Sequence, residues 1–136
     1  MKRNKYLLEN SFTIGSWIQI GDPEFTNLMA ASGFEFLVMD MEHGSISEKD
    51  LPQLFDAISG FNCLPFVRVA ENNNILIRRA LDLGARGIIV PGVNSSEDVK
   101  RAEKAIYYPP KGQRGIGYSR ANSYGLEFNE QFESSN

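Results

Sequence analysis

The sequence predicts an α/β fold of consecutive strand–helix units around a parallel sheet. Four apolar runs without helical spacing recur about every 25 residues, and a stretch with helical periodicity follows each one. Such units form a parallel sheet with helices packed on it. The pattern fits either an open doubly wound sheet or part of a (β/α)₈ barrel, because a complete barrel needs about 250 residues and the chain has 136.

The first unit pairs a strand over residues 14–20 with a short helix. Asp22 can cap that helix with Pro23 at its first position, where the missing N–H costs nothing. Gly33 ends the helix, since glycine readily adopts the left-handed conformation found there. Helical spacing is shown by four residues, namely Phe25, Leu28, Met29 and Ser32.

The second unit begins with residues 34–40, whose continuous apolar character suits a strand buried on both faces. Ser47 is a good N-cap for a helix over residues 48–59. Pro52 falls near the first turn of this helix, where proline is tolerated. The predicted inward face consists of Leu51, Leu54, Phe55 and Ile58.

The third unit has a strand over residues 64–69 and a helix over residues 72–83, which Gly84 closes. Cys63, the single cysteine, precedes the strand and suits a small core residue better than a nucleophile. The predicted inward stripe of the helix comprises Ile75, Leu76, Arg79, Ala80 and Leu83.

The fourth unit has a strand over residues 86–90, which Pro91 ends. Ser95 or Ser96 caps the helix that follows. The predicted inward residues of this helix are Val99, Ala102 and Ile106.

A long irregular segment over residues 108–125 and a polar tail over residues 126–136 complete the chain. Irregular segments of this length are usually functional or disordered, so residues 108–125 are predicted to be an active-site-type loop. The tail is expected to hold a short helix and a frayed end. We expect residues 1–136 to form a single domain.

The composition excludes several functional classes. A net charge of −3 gives no indication of a nucleic-acid partner or of an anionic membrane surface. No apolar run approaches the roughly 20 residues of a spanning helix. The basic N-terminus lacks an apolar signal-peptide core, and a lone cysteine forms no internal disulfide. We therefore expect a cytoplasmic protein.

Chemistry is expected at the strand ends. Asp40, Glu42 and His43 close the second strand, Arg68 closes the third, and Pro91 follows the fourth. In a parallel sheet these ends lie side by side, so the groups converge. An imidazole beside a carboxylate can act as a general base. A neighbouring arginine can hold a carboxylate or stabilise an enolate oxygen. Proton transfer and C–C cleavage next to a carbonyl require this combination.

Structural alternatives remain open for these residues. His43 and Glu42 can simply cap a loop, and Arg68 can form a structural ion pair with Glu71 or Asp40. The glycine-rich run of residues 112–117 supplies backbone N–H groups and a cation, as anion-binding loops do. It neither follows a strand nor opens a helix, so it is not a dinucleotide fingerprint.

Eight short motifs resemble, in order and spacing, those of the HpcH/HpaI aldolase and citrate lyase superfamily, specifically its class II pyruvate aldolases. The resemblance extends over residues 14–125. The motifs are Gly15-Ser16-Trp17, Ala31-Ser32-Gly33-Phe34, Asp40-Met41-Glu42-His43-Gly44, Pro65-Phe66-Val67-Arg68-Val69, Ala80-Leu81-Asp82-Leu83-Gly84-Ala85, Val90-Pro91, Tyr108-Pro109-Pro110 and Arg114-Gly115-Ile116-Gly117.

The resemblance implies the N-terminal half of a TIM (β/α)₈ barrel with four strands present. It also implies a carbon–carbon lyase that cleaves or forms 2-oxo-4-hydroxy acids, with pyruvate and an aldehyde as partners. A divalent ion, Mg²⁺, Mn²⁺ or Co²⁺, would polarise the ketone. By resemblance, His43 would perform the acid–base steps, Asp40 would orient it, and Arg68 would stabilise the enolate.

Further roles follow from the same resemblance. Asp82 matches an active-site aspartate of the family, Trp17 and Pro91 would contact substrate, and Glu42 matches a glutamate close to the metal. The main metal ligands of the family come from strands after the long loop, and the sequence ends before them. We therefore expect a truncated barrel domain that is weakly active or inactive alone and gains its metal only with a second half.

Three hypotheses compete. The first is a metal-dependent 2-oxo acid aldolase, the second a non-catalytic half-barrel that associates with itself or a second half, and the third a citrate-lyase-like CoA-thioester lyase. Open sheet edges at the first and fourth strands lead us to expect a homo-oligomer.

Overall fold

Four parallel strands form one sheet and are ordered as they occur along the chain. The structure, a computed structural model, describes residues 12–134, so the basic N-terminus and the last two residues of the tail lie outside it. The strands are β1 (Gly15–Ile18), β2 (Phe36–Asp40), β3 (Leu64–Arg68) and β4 (Gly87–Ile89). The predicted parallel α/β architecture is confirmed, with strands one to three residues shorter than predicted.

Helices follow each strand, and none within residues 12–134 has the length and apolar character of a membrane span. Beyond the fourth unit, a 3₁₀ segment and a short helix end the described part. The helical elements are α1 (Pro23–Ala31), α2 (Leu51–Ile58), α3 (Asn74–Leu83), α4 (Ser96–Ile106), the 3₁₀ segment Arg120–Gly125 and α5 (Phe128–Ser134).

Local chemistry sets several helix ends where the sequence predicts them. The Asp22 carboxylate accepts a hydrogen bond from the Phe25 N–H at the start of α1. Ser95 and Asp98 form a reciprocal capping box at the start of α4. Gly84 ends α3 with φ at 115°, a value that glycine adopts without strain.

The start of α2 differs from the prediction. The helix begins at Leu51, and Asp50 occupies the N-cap position that was expected for Ser47. The backbone N–H and the hydroxyl of Ser47 both donate to Asp50 Oδ2, at 2.7 Å each. These bonds hold residues 47–50 in a turn, which delays the helix, and they lower the pKa of Asp50.

The inward faces of two helices differ from prediction only in part, because Leu76, Ala80, Leu83, Ala102 and Ile106 do pack on the core as predicted. In α3 the buried residues are Ile77 and Ala80, whereas Ile75 and Arg79 are exposed. Arg79 instead pairs with Glu48 on the outer surface. The other helix, α4, buries the small residues Ala102 and Ala105 and leaves Val99 exposed. Small inward residues let α4 pack closely on its neighbour.

The predicted buried face of α2 is confirmed and packs on the helix side of the sheet. There the alternate residues of β2 and β3 join the main core, which includes Leu37, Met39, Val67, Leu54 and Ile58. The opposite sheet face carries Phe36 and Phe66, whose stacked rings lie 5.3 Å apart. A Cβ at Gly87 would lie 2.9 Å from the Phe66 ring, so only glycine leaves room there.

Residues 108–125 are packed against the rest of the fold. Tyr108, Arg114 and Asn122 are buried. Arg120 binds Asp56 near the end of α2. The Asn122 side chain bonds to three backbone groups around it and supports the segment from within. The predicted role of this segment as an active-site loop stays a prediction.

Candidate active site

Asp40 is the centre of a polar network at the carboxyl edge of the sheet. The register pairs it directly with Arg68, because β2 and β3 end side by side. Arg68 Nε donates to Oδ1 at 2.9 Å and a terminal nitrogen donates to Oδ2 at 2.6 Å. The Asp40 residue has 0% exposure. This geometry is a bidentate, charge-assisted pair with a fully buried acid.

Three further donors complete the surroundings of the Asp40 carboxylate. The backbone N–H groups of Glu42 and His43 donate to Oδ1 at 3.0 and 3.2 Å. Gln19 Nε2 donates to Oδ2 at 3.3 Å. Hydrogen bonds led by that from Arg68 hold the pKa of Asp40 far below its usual range, against the effect of burial. Asp40 therefore stays ionised and acts as an anchor, since its lone pairs are already occupied.

Arg68 retains access to solvent despite its pairing. Its guanidinium lies 4.6 Å from the centre of the Trp17 ring. Its other terminal nitrogen lies 3.2 Å from Glu42 Oε2, and 21% of the side chain is exposed. The Asp40 carboxylate raises the pKa of Arg68. The ion-pair alternative is thus correct for Asp40, and the guanidinium, which also pairs with Glu42, keeps part of its surface exposed at the sheet edge.

His43 lies on the turn after β2 and is the most exposed member of the cluster. Its side chain is 65% exposed, and Nε2 lies 3.7 Å from Glu42 Oε1. Asp40 contacts the backbone N–H of His43, so it fixes the turn and does not orient the imidazole as expected. The carboxylate beside the imidazole is that of Glu42.

Gln19 belongs to the site and was missed by the sequence interpretation. It directly follows β1, at the same sheet edge as Asp40. Its backbone oxygen also accepts bonds from the N–H and the hydroxyl of Ser45. The sequence pattern places Gln19 inside a predicted strand over residues 14–20, whereas β1 ends at Ile18 and so leaves Gln19 at the strand end.

Two predicted residues lie apart from Asp40 in different ways. Pro91 follows β4 at the same edge and is partly buried. Asp82 lies near the end of α3, where Arg114 donates to Oδ1 at 2.6 Å. In a parallel strand–helix fold, the end of a helix returns to the start of the next strand. Asp82 is therefore at the opposite edge, and its catalytic role stays a prediction.

The described residues do not fit a complete metal site. Within residues 12–134, no group of three or more His, Cys, Asp and Glu side chains is arranged to hold a metal ion. Asp40 has its oxygens occupied, and Glu42 faces Arg68. A divalent ion needs several free oxygen ligands. Glu42 alone could contribute one.

The sequence and the fold are similar to those of known aldolases. The family model of the HpcH/HpaI aldolase/citrate lyase matches residues 13–134. A 2-dehydro-3,6-dideoxy-6-sulfogluconate aldolase of Pseudomonas putida is 38% identical over 120 residues, which is 88% of this chain and 47% of that protein. A 5-keto-4-deoxy-D-glucarate aldolase of Salmonella paratyphi A is 39% identical over 114 residues, which is 82% of this chain and 44% of that protein.

Solved structures agree with the sequence relatives. An HpcH/HpaI aldolase/citrate lyase family protein of Burkholderia cenocepacia superposes with a TM-score of 0.88 at 27% identity. The match covers 96% of this chain and 54% of that one. The chain spans about half the length of the relatives it matches, and its four strand–helix units correspond to the N-terminal half of a TIM barrel. The chain belongs to the HpcH/HpaI aldolase/citrate lyase family.

Proposed function

We propose that the cluster of Arg68, Glu42 and His43 is part of an aldolase site that cleaves a 2-oxo-4-hydroxy acid into pyruvate and an aldehyde. The observation that carries the proposal is a half-open guanidinium, held by a buried carboxylate, beside an exposed imidazole. The relatives named as sugar-acid aldolases support this reaction class.

Arg68 is proposed to bind the 2-oxo acid end of the substrate. Asp40 fixes the guanidinium on one edge, and the Trp17 ring lies against it. The guanidinium N–H groups that neither Asp40 nor Glu42 occupies can donate to a substrate oxygen. This hydrogen bond is stronger to the anionic oxygen of the enolate than to the neutral oxygen of the ketone. The same contact would therefore favour bond cleavage. Trp17 and Pro91 are proposed to border the substrate.

His43 is proposed to move the proton. Its imidazole takes the proton from the C4 hydroxyl, the C3–C4 bond breaks, and the aldehyde leaves. The electron pair of that bond becomes the enolate of pyruvate. Return of a proton to C3 then gives pyruvate. Glu42, at 3.7 Å from the imidazole, can stabilise its cation.

A divalent ion, Mg²⁺, Mn²⁺ or Co²⁺, is proposed to take its main ligands from outside residues 12–134. The two carboxylates of the cluster are engaged with Arg68, and no further donor group surrounds them in the described part of the chain. When bound, the ion would polarise the ketone of the substrate.

Self-association is proposed for the open sheet. The sheet face that carries Phe36 and Phe66 leaves both rings partly exposed, and Trp17 is 46% exposed on it. Exposed apolar area costs about 25 cal/mol per Å² relative to burial. The unpaired edges of β1 and β4 offer backbone groups to a second chain. Light scattering on the purified chain measures this association directly.

The test of the function is His43→Ala in a protein that also carries the second half of the barrel and is supplied with Mg²⁺, assayed by pyruvate released from 2-oxo-4-hydroxy acids. We expect turnover to fall about 10²–10⁴-fold, the usual loss for a general acid or base. The matched control is Lys49→Ala, an exposed neighbour beyond the same turn, which should keep the wild-type rate. Equal turnover in wild type and His43→Ala would refute the role, and a wild-type protein that releases no pyruvate would refute the function.

A further inference from the structure

We propose that Gln19 is a positioning residue that clamps the turn carrying Glu42 and His43 to the end of β1. The inference rests on the proposed function only for its catalytic consequence. The clamp itself consists of contacts that Gln19 makes at the two ends of residues 40–45.

The first contact is made by the Gln19 side chain at the start of the turn. Nε2 donates to Asp40 Oδ2 at 3.3 Å, on the oxygen that also binds Arg68. The other Asp40 oxygen holds the N–H groups of Glu42 and His43. The hydrogen bond from Gln19 to Oδ2 therefore helps to fix the orientation of the carboxylate group, and the other oxygen of that group binds the turn.

The second contact is made by the Gln19 backbone at the end of the turn. Its oxygen accepts from the Ser45 N–H at 2.8 Å and from the Ser45 hydroxyl at 3.2 Å. The ladder between β1 and β2 ends at Ile18 and Met39. The Gln19 oxygen thus bonds to the returning turn just beyond the sheet. One residue consequently holds both ends of residues 40–45.

The third observation is the close approach at Gly44. A Cβ there would lie 2.8 Å from the Gln19 oxygen and would also collide with the Asp40 oxygen. The turn is therefore seated directly on the Gln19 backbone, with no space between them. A small displacement of Gln19 must move the turn, and with it the imidazole of His43.

The experiment compares Gln19→Met, which keeps the length and removes the donor, with Gln19→Glu, which places a second carboxylate beside Asp40. Amide hydrogen exchange is read at Glu42, His43 and Ser45. We expect the three rates to rise about tenfold in Gln19→Met, as expected for loss of a bond to a charged group, and further in Gln19→Glu.

Controls separate the clamp from general destabilisation. The exchange rate of Val67 in β3 should stay unchanged in both variants. Gln53→Met, an exposed glutamine on α2, should leave all the turn amides at wild-type rates. Ser45→Ala, which loses only the hydroxyl bond, should accelerate exchange at Ser45 more than at Glu42. Wild-type exchange in Gln19→Met, or an equal rise in Gln53→Met, overturns the proposal.

Kinetics supply the catalytic readout. In Gln19→Met, kcat for pyruvate release should fall about tenfold while KM stays within about twofold, because Arg68 keeps its bonds to Asp40. A change confined to KM overturns the positioning role. Absence of pyruvate release in the wild type defeats the proposed function alone, since hydrogen exchange still decides whether the clamp exists.

Discussion

Two arginine–aspartate pairs, at opposite edges of the sheet, are built from the same parts with opposite burial. Arg68 pairs with Asp40 over the Trp17 ring, and Arg114 pairs with Asp82 over a ring 4.8 Å from its guanidinium, that of Tyr108. In the first pair the acid is fully buried and the arginine is open. In the second, 4% of the arginine side chain is exposed against 34% of the acid.

The opposite burial of the two pairs shows which member of each pair is accessible to a ligand. A buried acid behind a partly exposed arginine presents a fixed guanidinium to solvent, beside the carboxylate of Glu42. A buried arginine behind an open acid presents nothing cationic and ties residues 108–125 to the end of α3. Arg114 Nε has no hydrogen-bond partner and is buried, which fits a packing role better than a recognition role. Pairing alone therefore does not identify a functional arginine.

Of the substitutions in the two pairs, replacement of Arg68 is expected to have the largest effect on activity. In Arg68→Met the open cation is lost, and pyruvate release should fall about 10²–10³-fold, as for the loss of an oxyanion donor. Steady-state kinetics with a 2-oxo-4-hydroxy acid measures the effect. Circular dichroism must show a folded protein. A folded variant with wild-type kcat and KM would place the substrate elsewhere.

Replacing Arg114 tests the other pair through stability. In Arg114→Met the buried guanidinium and its bond to Asp82 are lost, and the free energy of unfolding should fall by about 2–3 kcal/mol. Urea denaturation measures the change. Asp82→Asn should also lower the free energy of unfolding, because it leaves the buried Arg114 cation without its carboxylate. An Arg114→Met protein as stable as wild type would show that residues 108–125 are held by other contacts.

Acid titration tests the ionisation of Asp40 in the folded protein, and its expected effect on the free energy of unfolding is the smallest of the three. The pKa of Asp40 is lowered in the folded protein, mainly by Arg68. Its stabilising contribution is therefore complete above the unfolded value of about 3.9 and declines as pH falls below it. The difference in unfolding free energy between wild type and Asp40→Asn should be constant from pH 7 to 5 and narrow below pH 4. A constant difference at all pH values would contradict the assignment.

The sequence predicts the sheet and the meeting of Asp40, Glu42, His43 and Arg68, because strand ends in a parallel sheet share an edge. It does not predict that the hydrogen-bonding capacity of the Asp40 carboxylate is fully used, because the five donors come from three separate segments of the chain. It predicts Leu76, Ala80 and Leu83 on the inward face of α3 correctly, but it selects Ile75 where Ile77 is buried. Ile75 and Ile77 lie on different sides of that helix, and periodicity alone does not choose between two apolar sides.

Gly15 and Gly87 have a consequence for the evolution of the site. Each glycine leaves the space that a phenylalanine ring of the adjacent strand fills, Phe36 over Gly15 and Phe66 over Gly87. These rings share a sheet face with Asp40 and Arg68, two or four residues further along the same strands. At each site the phenylalanine ring therefore fills the volume that a side chain at the glycine would need. A larger residue at either glycine becomes acceptable only with a smaller one at its phenylalanine, so the two positions must change together for the guanidinium above them to keep its place.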